Sequence, residues 1–162
     1  MKLKNKLILS ILMVTCLGTV IFITYFLNQN PLVSDGFSEY NNQRTLVDIS
    51  IINKGVSDIY LQDIKINDKL PLKTQLVISY TAQLVAGGID DEPLARFLEI
   101  NEEPIHPELT PQEKQEAFKT KTTPIHYGIR INSEEDITTI KIKYRYFGIP
   151  FEREINLDTW PE

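Results

Sequence analysis

The sequence predicts an all-β chain: an antiparallel, immunoglobulin-like β-sandwich of six to seven strands with one short helix, preceded by a single N-terminal transmembrane helix. Three observations predict it. Stretches of five to twelve residues alternate apolar and polar side chains with period two, the pattern of half-buried strands. Turn residues separate these stretches and no strand–helix alternation occurs, which points to antiparallel sheets packed face to face. Ahead of them, residues 7–27 carry no charge and no proline.

That apolar segment comes first. Lys2, Lys4 and Lys6 precede it in the N-terminal residues 1–6. A helix over residues 7–27 is about 31 Å long, against a hydrocarbon core of roughly 30 Å. Tyr25 and Phe26 fall at its outer end, where aromatic rings favour the interface, and residues 28–31 stop it. The lysines lie on one side, and the first charges beyond the segment are Asp35 and Glu39. This predicts a single-pass protein of the cell membrane, in contact with the lipid bilayer through residues 7–27. Its N-terminus is cytoplasmic and its C-terminal domain extracytoplasmic. A cleaved signal peptide has a shorter apolar run, of about 7–15 residues, and Leu32-Val-Ser34 is a poor cleavage site. Lipidation of Cys16 is disfavoured by Thr15 before it and by the apolar run that continues after it. Cys16 is read as a small apolar side chain within the helix.

Residues 28–44, rich in Asn, Ser and Gln, read as a linker. The domain follows over residues 45–162. In residues 45–53, Val47, Ile49 and Ile51 share one face and Asp48 and Ser50 the other; Asn53-Lys-Gly55 turns the chain. The strand at residues 59–67 slips phase near Gln62, and one bulge there puts Ile59, Leu61, Ile64 and Ile66 on the same face. A long strand is expected over residues 74–85. Residues 89–124 are irregular and hold five of the nine prolines, with a short edge strand over residues 94–100. Thr110-Pro-Gln-Glu113 places Thr at an N-cap, Pro at the first helical position and Glu at the third. The helix this starts runs to about Lys119, with Phe118 as its anchor.

Three strands close the chain. Ile125, Tyr127, Ile129 and Ile131 alternate with His126, Gly128, Arg130 and Asn132; Ile140, Ile142, Tyr144 and Tyr146 alternate with Lys141, Lys143 and Arg145. A last hairpin centred on Gly148-Ile149 pairs Tyr146 with Phe151, Ile142 with Ile155, Arg145 with Glu152 and Lys143 with Glu154.

Charge narrows function. The chain has 17 basic and 22 acidic residues, net −5, and three of the lysines precede the apolar segment. The remainder is more acidic still, which argues against nucleic acid and other polyanions as ligands. No cysteine lies beyond Cys16, so the domain is held by its core, without disulfides. There is no Gly-x-Ser-x-Gly elbow, phosphate loop or dinucleotide fingerprint, and an enzyme is not expected; no catalytic residue is assigned. The two histidines occupy similar tetrapeptides, Pro104-Ile-His106-Pro and Pro124-Ile-His126-Tyr, at a spacing that matches no zinc pattern. The acidic stretch Gly87-Gly-Ile-Asp-Asp-Glu-Pro93 offers Asp90, Asp91 and Glu92 as oxygen ligands for calcium, without the spacing of a known calcium loop.

The strand and turn at residues 47–55, the residue 87–93 loop, Thr123-Pro-Ile-His-Tyr-Gly128 and the closing residues 140–160 resemble small membrane-anchored proteins of unknown function from Bacillus-like bacteria. The resemblance covers most of the domain and implies no activity. The expectation is therefore an anchored extracytoplasmic binding module that contacts another cell-envelope protein through residues 86–124. The alternative is a calcium-binding or calcium-sensing domain using Asp90, Asp91 and Glu92.

Overall fold

A computed structural model describes residues 8, 10–21, 30–40 and 43–159. The chain divides into two units, Met1–Asn30 and Pro31–Glu162. In the first, residues 10–21 are helical, and Thr15 and Thr19 donate their hydroxyls to the carbonyls of Ile11 and Thr15, each at 2.9 Å. Among the described residues no helix is long and apolar enough to cross a membrane. This overturns the expected transmembrane helix over residues 7–27, and with it the single-pass placement. Residues 7, 9 and 22–27 of the expected span lie outside the described residues, as do Lys2, Lys4, Lys6 and Trp160.

The second unit is mostly strand. Its strands are β1 (Leu32–Tyr40), β2 (Gln43–Asn53), β3 (Ile59–Ile66), β4 (Lys73–Ser79), β5 (Arg96–Leu98), β6 (His126–Asn132), β7 (Thr139–Tyr146) and β8 (Ile149–Asn156). They form two sheets, ordered β1-β2-β6-β4-β5 and β3-β7-β8, with every strand pair antiparallel. Val47, Ile49, Ile51, Leu76, Ile78, Ile129 and Ile131 from the first sheet are buried, as are Ile59, Leu61, Ile64, Ile66, Ile140, Ile142 and Tyr144 from the second. Each such side chain contributes on the order of 1.5–3 kcal/mol. The Leu32 backbone on β1 hydrogen-bonds the buried Tyr144 phenol on β7, tying one sheet to the other; burial pushes that phenol up to about 12.

β1 lies where a linker was expected. Its serines hid it: Ser34 and Ser38 read as spacer residues, but Ser38 lies opposite Asp48 on the polar phase of β2, and Ser34, before a register shift, lies opposite Ile51. Ser34 donates to the Ser50 carbonyl at 2.7 Å, and Leu32 is fully buried. β3 has its register shift between Leu61 and Asp63, where the apolar phase slips. The helix Pro111–Thr120 has the capping box, with Thr110 accepting from Glu113 N–H and the Glu113 carboxylate reaching back to Thr110 N–H. Its buried contact is Ala117; Phe118 is substantially exposed.

Two expectations shift. The β7–β8 turn is Phe147-Gly148, both at positive φ, and Tyr146 pairs with Ile149 and Tyr144 with Phe151. The register lies two residues from the one expected. It keeps every side chain on its face and keeps basic opposite acidic, as Lys143–Glu152 and Lys141–Glu154. It also puts Pro150 opposite Arg145, one step past the closing pair, at a position whose missing N–H points away from β7.

The second shift concerns β4, which ends at Ser79 and not at residue 85. From there the chain turns back over the outer face of the five-stranded sheet through the 3-10 turn Val85–Gly87. Val85 and Ile89 pack with Val77, backed by Ala95 and Phe97, in a second small core. Gly128 makes room for this strap: a Cβ there would lie 2.4 Å from Val85 Cγ1 and 2.6 Å from the Ile49 carbonyl.

Candidate functional site: a cleft between two histidines

Both histidine tetrapeptides use the same local rule. In Pro104-Ile105-His106 and Pro124-Ile125-His126 the isoleucine goes inward and the histidine sits beside it. Ile105 is fully buried and exchanges two backbone hydrogen bonds with Ile59, at 2.8 and 3.0 Å. Ile125 is buried and donates its N–H to the Ser79 carbonyl at 2.9 Å. Asn53, at the end of β2, pins the first tetrapeptide. Its side-chain amide donates to the Ile105 and Ser57 carbonyls at 2.9 and 2.8 Å, and its backbone carbonyl accepts from Glu108 N–H at 2.9 Å.

The two histidines thereby line one small cleft of about 90 Å³ at an end of the five-stranded sheet, with Asp35, Ser50, Glu108 and Lys114. At its rim, Glu108 joins two lysines: Lys54 at 2.5 Å and Lys114 at 3.0 Å. Lys54 first, then Lys114, holds the Glu108 carboxyl below the usual range. His106 Nδ1 lies 2.8 Å from Asp58 Oδ1, and its ring meets Tyr127 edge-on at 6.5 Å between centroids.

His126 differs from His106 in being half-buried. Burial lowers its pKa, and Lys114 lowers it further, against weaker opposing effects of Asp35 and Glu108. A depressed histidine pKa means that the unfolded chain binds the proton more readily, so acid favours unfolding. Stability contributed by the neutral ring is complete above the ordinary value of 6.5 and is lost as pH falls below it. His126→Gln is expected to flatten the fall in Tm between about pH 6.5 and pH 5, leaving the carboxylate-driven loss at lower pH in place. Thermal melts of both proteins across that range check it.

Chemically the cleft offers hydrogen-bond donors and acceptors of both signs around a neutral imidazole. Among the described residues neither histidine hydrogen-bonds a hydroxyl or thiol, the arrangement nucleophilic catalysis starts from. The sequence pointed to the two tetrapeptides, but only the fold brings residues twenty apart to one place. Asp35, Glu108 and Lys114 carried no signal.

The acidic stretch is elsewhere. Asp90 reaches Arg130 Nη1 at 2.5 Å, and Arg130 lowers its pKa. Glu92 accepts from the Thr81 hydroxyl at 2.8 Å and from Leu94 N–H at 3.1 Å, which lowers its pKa too. Asp91 is exposed. Among the described residues no group of three or more His, Cys, Asp and Glu side chains is placed to hold a metal ion. The structure thus sends Asp90 and Glu92, two of the three expected calcium ligands, to different partners.

Arg130 is the centre of a second cluster, under the strap. Its Nε and Nη2 donate to the two oxygens of fully buried Asp48, at 2.8 and 2.7 Å, and Nη2 also donates to the Tyr40 hydroxyl at 3.0 Å. Tyr40 in turn donates to Asp48 at 2.7 Å. The guanidinium carbon lies 4.9 Å from the Phe97 ring centre and 5.5 Å from that of Tyr40. No family model, curated protein or solved structure matches the chain.

Proposed function

We propose that this chain is a binding module, without catalysis of its own, that takes a segment of a protein partner into the cleft between His106 and His126. What supports it is the convergence of two separate tetrapeptides on one polar cleft, pinned from behind by Asn53. Within residues 86–124, the stretch up to Phe97 packs on the chain's own sheet, which leaves residues 106–114 to face a partner. We also read the two sheets as an immunoglobulin-like sandwich. Its support is the strand order: leaving out β5, the order is β1-β2-β6-β4 and β3-β7-β8. That is the first-second-fifth-fourth and third-sixth-seventh order of constant-type immunoglobulin domains. Loops at one end of such sandwiches carry recognition in many proteins.

Photo-crosslinking tests the binding role. A photoreactive residue at position 106 of the full chain, in its native cell, should yield a discrete adduct that Lys114→Ala abolishes. One at position 143, an exposed site on β7, should not. Equal adducts from both positions, or none from position 106, contradict the reading.

A further inference from the structure

The Arg130 cluster holds one more carboxylate than its charge requires. Asp48 is fully buried and binds two edges of the guanidinium, so it alone balances Arg130. Asp90 adds a second negative charge, from a side chain that is 53 % exposed, while that of Arg130 is 16 % exposed. Asp48, Tyr40 and Phe97 orient the guanidinium without Asp90. Nη1 is therefore a fixed donor facing outward, as in sites that receive a carboxylate. Ser38 lies opposite Asp48 in the β1–β2 register, hence on the same face, and among the described residues its enclosed hydroxyl has no hydrogen-bond partner.

From this geometry we propose that Arg130 is a receptor for the carboxylate of an acidic peptide, and that Asp90 is its built-in occupant. The exchange asks little of the fold. Ile89 stays buried in the strap's core, and only the Asp90 side chain turns to water. An incoming aspartate or glutamate then accepts from Arg130 Nη1 in its place, with no covalent step. A half-exposed ion pair is a weak competitor, so the site opens at small cost. The site is independent of the histidine cleft and stands or falls separately.

The test is an NMR titration of the Arg130 Nε–H signal in the full chain with a capped Gly-Asp-Gly peptide. Asp90→Ala, which removes an exposed group and leaves the fold intact, should bind about tenfold more tightly than the unmodified chain, because the internal competitor is gone. Capped Gly-Asn-Gly should give no saturable shift, and Asp90→Ala combined with Arg130→Lys, followed through the Gly128 and Phe97 backbone amide signals, should lose the binding. Equal affinities with and without Asp90, equal response to the Asn peptide, or no saturable shift in Asp90→Ala would each overturn the proposal.

Discussion

Arg130→Met should lower stability by about 3–5 kcal/mol and reduce Tm by more than roughly 10 °C. The reason is the partner left behind. Asp48 has no exposed surface and sits in the middle of a sheet, on β2 between β1 and β6. Without the guanidinium, its described hydrogen-bond partner is the Tyr40 hydroxyl, too little to offset the desolvation of a buried carboxylate. Phe97 and Tyr40 lose the cation between them as well. Removing both charges together, with Asp48→Leu in the same chain, should cost less than Arg130→Met alone, since no buried charge remains unpaired. Denaturant melts of the two single variants and the double variant decide it. Additive losses would mean that Asp48 and Arg130 are not coupled.

Gly128→Ala should cost about 2–3 kcal/mol, a large effect for one methyl group. The new carbon meets two different obstacles. Val85 Cγ1, at 2.4 Å, belongs to the strap and can move away; the Ile49 carbonyl, at 2.6 Å, belongs to the neighbouring strand and cannot. The strap is the side that yields, which uncovers Val77 and Ile89. Val85→Ala in the same chain should recover part of the loss, the part due to the strap, and not the rest. Urea melts measure both, and increased binding of a hydrophobic dye by Gly128→Ala reports the uncovered face.

The strap shows where sequence reading stops. Val77 stands on the outward phase of β4, and Gly128 stands opposite it on β6. An apolar residue beside a glycine on a face otherwise carrying Gln75, Ser79, Arg130 and His126 signals that something packs there. The alternation of β4 masks it, because Thr81 and Gln83 extend the strand pattern past the residue where the chain turns away. The acidic stretch was legible as charge, but its direction was set by Arg130, forty residues later in the chain. Elements fixed by neighbouring residues were plain: the phase slip at Gln62 and the capping box of Thr110 and Glu113 are both local. The β7–β8 register depended on Phe147 accepting a positive φ, which costs a non-glycine residue about 1–2 kcal/mol and which local preference disfavours. The two-residue turn that results matches strand twist and clears Pro150 from the ladder.

The N-terminal segment turned on length. Its composition suits lipid throughout residues 7–27, but among the described residues no helix is long and apolar enough to cross a membrane. The histidine cleft turned on fold. Two isoleucines twenty residues apart, Ile105 and Ile125, each bury themselves and leave a histidine at the same opening.

A closed strap over the outer face, leaving that opening as the accessible site, is tested most directly by nuclear Overhauser contacts in the folded chain. Contacts from the Val85 methyls to the Gly128 α-protons, and from the Phe97 ring to the Arg130 side chain, are predicted. Their absence, with residues 84–92 showing the shifts of an open loop, would contradict it.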